Sequence, residues 1–389
     1  MKIYWLFLTI LFFTNVVHAD FSGSVTIEGK IFFDKGDNKK SKQLYGAIIF
    51  EPEYYKSFSE EKYSFTFRPY AILDAYDNER SHFDIREFNG IVVGSWWELK
   101  LGISREYWSV TEFSHLVNIV NQIDFSANID EDQKLGQPMS HFSLISPVGT
   151  FDLFVLFGFR ERTYPGDKGR FLFQKAVDTD SSIYESSQED RHIDFAMRYS
   201  HSISIFDFAL SAFHGTNREP SFSLSDDGNF MVPYYSQMSQ AGLETQASSG
   251  DTLYKLEAIY RDSDSDEYFS FNIGIEHTFG SLWSSTFDLG LLLEYLYDER
   301  EDEATTPFAN DLFFGMRLTA NDTNDTQLLA GLGQDLDHQS QVISVEVSRR
   351  LTNNLKISID ARWFISHKQD FLSVWESEDF IKINLSYYF

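Results

Sequence analysis

The sequence predicts an all-β fold: a transmembrane antiparallel up-and-down β-barrel of about eighteen strands, with short turns at one end and long loops at the other. Three observations lead there. Strand-length segments alternate apolar and polar residues with period two, which turns one face to lipid and the other to water. Their connections alternate between tight and long along the chain, as an up-and-down barrel with both termini at one end requires. The apolar stretch Ile3 to Phe13 is shorter than the roughly twenty residues of a spanning helix, and no later uncharged segment approaches that length.

Met1-Lys2, the run Ile3 to Phe13 and Val17-His18-Ala19 read as a basic n-region, an apolar h-region and a small-residue cleavage site. Residues 1–19 are therefore expected to be a secretory signal and residues 20–389 a single barrel domain beginning at Asp20. No plug domain of the kind that precedes active transporters is expected before the first strand.

Composition agrees with this order of events. Aromatic residues make up 17%, with 38 Phe and 20 Tyr, in a chain of negative mean hydropathy; alternation explains both at once. Cysteine is absent, which excludes disulfides, thiolate metal sites and a Cys nucleophile. A net charge of −27 excludes a nucleic-acid partner. Much of the acid sits in Asp262 to Glu267, Asp298 to Glu303 and Glu185 to Asp190, read as solvated loops or as links through divalent ions to anionic lipopolysaccharide.

In chain order the predicted strands are about 21–34, 43–58, 62–77, 81–94, 96–106, 138–147, 149–160, 191–201, 203–214, 236–248, 251–262, 267–279, 283–298, 310–321, 325–333, 338–351, 353–366 and 378–389, with sixteen strands as the alternative count. Trp97, Leu99, Leu101 and Ile103 oppose Glu98 and Lys100; Ile193, Phe195, Met197 and Tyr199 oppose Asp194 and Arg198. The even-numbered connections are tight, among them Ser95, Val148, Ser202, Ser249-Gly250, Gly280 to Leu282 and Thr352; the odd ones include excursions at about 107–137, 161–190, 215–235, 299–309 and 367–377.

In the last predicted strand Ile381, Ile383, Leu385, Tyr387 and Phe389 oppose Lys382, Asn384 and Ser386, and the chain ends on that Phe. This end resembles the closing strand of Gram-negative outer-membrane β-barrels, and the whole mature chain resembles a porin-type barrel. The resemblance implies location in the outer membrane among its lipid and lipopolysaccharide, recognition of Phe389 by the barrel assembly machinery, and passive passage of small hydrophilic solutes or ions. It also makes a homotrimer an expectation, although no subunit-contact strand is identifiable. A substrate-specific or export channel for an acidic saccharide or organic acid, and a structural or adhesive barrel with acidic ion-binding loops, are the alternatives.

The polar face of the strands supplies the candidate lumen residues. Arg350, Lys356, Arg362 and Lys382 come from adjacent strands and form a basic ladder that faces Asp288 and Glu294 across the lumen, unless Glu346, Asp360 and Glu28 neutralise it through cross-strand pairs. Segment 107–137 carries Phe113, Leu116, Val117, Ile119, Val120, Ile123 and Phe125, too apolar for a solvated loop. As general porins fold an external loop inward, it is the candidate constriction, with Asp124, Asp130 and Glu131 near the narrowest point; an external lid is the rival.

Catalysis is not expected. There is no Gly-x-Ser-x-Gly turn, the histidines lack paired spacing, and acidic pairs in loops are too common to mark an acid and a base. No cofactor or metal is implied.

Overall fold

The structure, a computed structural model, describes residues 20–36, 38–59, 61–173, 175–264, 266–366 and 371–389. The expected signal, residues 1–19, lies outside them. Eighteen strands form one closed sheet: β1 (Asp20–Phe32), β2 (Leu44–Phe58), β3 (Tyr63–Asp74), β4 (His82–Val93), β5 (Trp97–Ser104), β6 (Gln137–Ser146), β7 (Gly149–Phe157), β8 (Ile193–Ile203), β9 (Phe206–Thr216), β10 (Gln237–Ser249), β11 (Thr252–Ser263), β12 (Glu267–Phe279), β13 (Asp288–Asp298), β14 (Asn310–Thr319), β15 (Gln327–Asp335), β16 (Gln341–Arg350), β17 (Leu355–Ile365) and β18 (Phe380–Tyr388). The count is eighteen, and sixteen is set aside.

Each strand pairs antiparallel with the next, and β18 returns to β1 in a register running from Ser24 opposite Tyr388 to Phe32 opposite Phe380. Closure leaves no edge, so neighbouring strands satisfy one another's ladder groups without water along most of their length. The seam ends on reciprocal backbone bonds of 3.1 Å between Gly23 and Phe389. A Cβ on Gly23 would lie 2.6 Å from the Pro52 Cα and 3.0 Å from the Phe389 ring, so a glycine lets the C-terminal aromatic close against the first strand.

Two local departures from the expected parsing have clear causes. β13 starts at Asp288 rather than near 283, because the Leu282 N–H donates to Phe287 O and the Ser281 N–H to the Asp288 carboxylate, both within 2.8 Å, forming a capped turn. In β3, Pro69 has no N–H to give the ladder. The register slips there, with Arg68 opposite Glu87 and Pro69 opposite Ile85. Arg86 is the extra residue of a β-bulge, a device that re-aims a side chain.

The outward face is an apolar band: Ile27, Phe195, Leu210, Ile273, Phe314 and Ile383 are all exposed. A contiguous girdle of this kind suits hydrocarbon rather than water. Trp96, Tyr63, Phe206 and Tyr388 are exposed near the short turns. The packed core lies inside the barrel. Trp108, Val117, Ile119 and Val120 of the long β5–β6 connection pack on inward residues of β6 to β12, including Met139, Phe154, Leu156, Phe213 and Ile259. A second cluster at the long-loop end joins Phe32, Tyr45, Phe125, Tyr164, Phe171, Phe364, Trp375 and Phe380. A small sheet of Ile183–Tyr184, Ser221–Leu224 and Met231–Tyr235 ties two long loops together there.

Candidate functional site: the lumen and its inward segment

Residues 105–136, between β5 and β6, run through the barrel and are held to the wall by buried charge. Glu257 of β11 is fully buried and accepts hydrogen bonds from Ser109 Oγ (2.5 Å), the N–H of Val110 (2.7 Å) and Thr111 (3.1 Å), Thr111 Oγ1 (2.8 Å) and the N–H of Val117 (3.3 Å). Glu294 of β13 accepts from the N–H groups of Glu112 (2.9 Å) and Phe113 (3.1 Å). Backbone donors that no strand partner could satisfy are thus satisfied by wall carboxylates, which is what burying a loop demands.

Two glycines make room for the turn. A Cβ on Gly242 of β10 would meet the Val117 side chain at 3.1 Å, and one on Gly331 of β15 would meet the Phe113 ring at 2.9 Å. Phe113 stacks on Phe313 of β14 with centroids 4.4 Å apart.

On the other side of the lumen the same segment is gripped by β4. Arg86, aimed inward by the bulge, forms an ion pair with Asp124 and donates to Lys134 O at 2.7 Å while stacking on Tyr70 at 4.2 Å. Asp124 also receives Thr163 Oγ1 (2.6 Å) and Ser126 Oγ (3.1 Å) and sits 3.0 Å from His82 Nε2. Burial pushes the Asp124 carboxyl up, but His82, Arg86 and Thr163 outweigh it and hold it well below the usual carboxylate range. Arg80 donates to Ser126 O (3.1 Å) and Ala127 O (3.3 Å) and pairs with Glu28 (2.7 Å).

The expected ladder residues separate into two groups. Arg362 lies 3.4 Å from each of Asp130, Glu346 and Asp360, and Lys382 lies 2.9 Å from Asp360 and 3.5 Å from Asn128 Oδ1. Cross-strand carboxylates therefore face these cations, and the inward segment adds Asp130. Burial raises the Asp130 carboxyl. Arg350 and Lys356 pair across the ladder at the short-turn rim, with the Arg350 side chain 57% exposed and 4.0 Å from Asp325. Asp288 is at that rim too, accepting from Ser281 N–H (2.8 Å) and Asn321 Nδ2 (2.7 Å), so it does not join Glu294. Glu131 adopts a left-handed backbone (φ 58°) and lines a cavity described next.

The segment has a cavity on each side. Toward the short turns, a cavity of about 570 Å³ lies between Ser109-Val110 and a wall that includes Arg198, Asp207, Glu244 and Gln246. Toward the long loops, a cavity of about 60 Å³ is lined by Lys134, Arg162, Arg218, Arg261 and Arg300 with Glu131, Glu219 and Asp298. Burial pushes the Glu219 carboxyl up, but Arg261, Arg300 and Arg162 hold it at about 2.

No protein-family model and no curated protein matches the sequence. Solved structures do match. A structure of Pseudomonas aeruginosa OpdK with vanillate aligns over 95% of this chain and 98% of that one at TM-score 0.52 and 11% identity. Wzi of Escherichia coli, an outer membrane protein involved in group 1 capsule assembly and a carbohydrate-binding β-barrel, aligns over 93% of this chain and 83% of that one at 0.52 and 9%. This chain has a porin-type β-barrel architecture. At these identities the likeness is one of fold.

Sequence reasoning missed the grip of the barrel on its own loop. Glu257 and Arg86 appear in the pattern only as inward charges among many. Two signals pointed further. Phe151 to Phe157, with Phe154 and Leu156 apolar on the inward face as well, is what a wall that packs on protein rather than water looks like. Outward Phe83 and Ile85 are followed by outward Phe88, a step of three instead of two, which opposite Pro69 is the signature of a bulge.

Proposed function

We propose that this protein is an outer-membrane channel through which small hydrophilic solutes or ions diffuse, with residues 105–136 as its constriction. One observation carries the reading: the inward segment is pinned to opposite walls of the lumen, by Glu257 and Glu294 on one side and Arg86 on the other, between two water-accessible cavities. A constriction must hold its shape against solvent, and fully bonded buried carboxylates give it that rigidity. Asp124, Asp130, Glu131, Glu294, Arg362 and Lys382 then act within or beside it, while Arg350, Lys356 and Asp288 set the field at the periplasmic mouth.

The apolar outer band and the porin-type fold, shared with OpdK and Wzi, support placement in the outer membrane among lipid and lipopolysaccharide. Short turns face the periplasm and long loops the exterior. Phe389 is the element offered to the assembly machinery. The narrow cavity of about 60 Å³ beside the inward segment favours selective over general diffusion.

Single-channel conductance of the refolded mature chain in planar bilayers tests the reading. Stable steps of fixed size are expected; a heat-modifiable barrel that carries no current refutes it. The second reading, a closed ligand-binding barrel, is favoured by the aromatic cluster of Phe125, Phe171 and Trp375 at the long-loop end, and the absence of current would select it.

A further inference from the structure

We propose that the cavity on the long-loop side of the inward segment is a binding site for the carboxylate of a small hydrophilic organic acid, which names a substrate class for the channel reading above and rests on it.

The chain carries a net charge of −27, yet this cavity is lined by five cations, Lys134, Arg162, Arg218, Arg261 and Arg300, against three carboxylates, Glu131, Glu219 and Asp298. One bound monoanion brings the lining closer to neutrality. Asp194 pairs with Arg218 from behind the lining and Asp132 also acts on Lys134, so most of these cations are already offset and the site rests on the one ammonium without a contact partner among the described residues.

The guanidinium groups are fixed before any ligand arrives. Arg300 is clamped by Asp298 (2.8 Å) and lies 3.7 Å above the Tyr268 ring. Arg261 donates to Gln240 Oε1 (2.8 and 3.0 Å) and pairs with Glu219 (3.0 Å). Arg218 pairs with Asp194 (2.6 Å) and donates to Val120 O (3.2 Å). Planar forks held rigidly are suited to a planar carboxylate, because little side-chain entropy is lost on binding.

Lys134 is different. It is buried, it lines the cavity, and its ammonium has no hydrogen-bond or ion-pair partner among the described residues. Burial pushes it down to about 8, so at neutral pH it is a desolvated cation lacking a contact anion, an arrangement that a ligand carboxylate completes. The Asn118 side-chain amide, also in the lining, is a buried donor without a partner. A volume of about 60 Å³ holds roughly two waters at their liquid share of ~30 Å³, enough for a carboxylate head.

The test is calorimetric titration of the refolded full barrel in detergent with glucuronate, with glucose and with inorganic phosphate. Glucuronate is expected to bind and glucose not to. Lys134→Gln is expected to weaken glucuronate by at least about tenfold, and Glu219→Gln, which removes a competing carboxylate, to tighten it. Equal binding of glucose, preference for phosphate, no binding of glucuronate, or glucuronate affinity unchanged in a heat-modifiable Lys134→Gln barrel each overturns the proposal. Conductance in potassium chloride alone separates the two readings: a barrel that conducts but does not bind loses only this site, and one that binds but does not conduct loses only the channel.

Discussion

Arg86 of β4 and Asp124 of the inward segment form an ion pair in which both side chains are completely shielded from solvent. The arginine is there because a bulge opposite Pro69 gives β4 one residue more than its partner, and the aspartate is there because the segment turns back across the lumen. Local strand chemistry on one side and loop threading on the other meet in a single contact.

Removing either partner leaves a buried charge with only part of its compensation, Asp84 at 3.1 Å for Arg86 and His82 at 3.0 Å for Asp124, which costs up to about 3 kcal/mol. Arg86→Met and Asp124→Leu are each expected to lower the unfolding midpoint and raise open-channel conductance as the segment loosens. The double variant, with no orphaned charge, is expected to recover much of the stability but not the conductance. Thermal unfolding and bilayer recordings of the three variants check this.

The pH dependence of the same anchor has a definite sign. Asp124 has a folded-state value below its ordinary one, so its stabilisation is fully present above the unfolded carboxylate value near 3.9 and is lost as pH falls through the folded value. The barrel is therefore expected to keep its anchor throughout pH 5–8 and to loosen only in strong acid. Unfolding midpoints from pH 2 to 8 measure it; a loss already at pH 6 contradicts it.

Glu257→Gln replaces an acceptor with a group that presents N–H to N–H. A loss of about 1–3 kcal/mol per unsatisfied buried group is expected. The amides of Val110, Thr111 and Val117, which donate to Glu257, are expected to exchange hydrogen faster while those of β11 do not, and mass-spectrometric exchange reads both.

Gly331→Val places a side chain where the Phe113 ring lies 2.9 Å from an ideal Cβ. The expected result is about 1–3 kcal/mol of destabilisation together with altered conductance, since the ring must leave its stack on Phe313. Unchanged single-channel steps would show that this turn does not border the pathway.

Lys134 loses its proton near pH 8 rather than above 10, because burial disfavours the ammonium. Anion preference is expected to decline as pH rises through about 8, and the reversal potential in a salt gradient, measured at pH 6 and pH 9.5, reports it.

What was legible in the sequence follows from how local each signal is. The period-two faces of Ile193 to Tyr199 or Ile381 to Phe389 depend only on the pleat, so all eighteen strands and the segregation of long from short connections could be read without any partner in view. The apolar content of 107–137 showed that the segment needs burial, again a local property. The lumen charges were legible as inward-facing but not as pairs.

Pairing is where the tertiary structure decided. Whether Arg362 meets Asp130 or open water, whether Glu257 faces a lumen or the N–H groups of Val110 and Thr111, and whether Lys134, Arg218 and Arg300 share one cavity all depend on the register of strands far apart in sequence and on the path of a loop through their midst. Alternation along a strand sets which face a side chain takes; the stagger of the closed sheet and the threading of the loop set its height in the barrel and its neighbour across the lumen. The amino-acid sequence by itself determined a closed barrel of about eighteen strands with an apolar exterior, and only the folded chain fixed the count and determined which of its charges face one another.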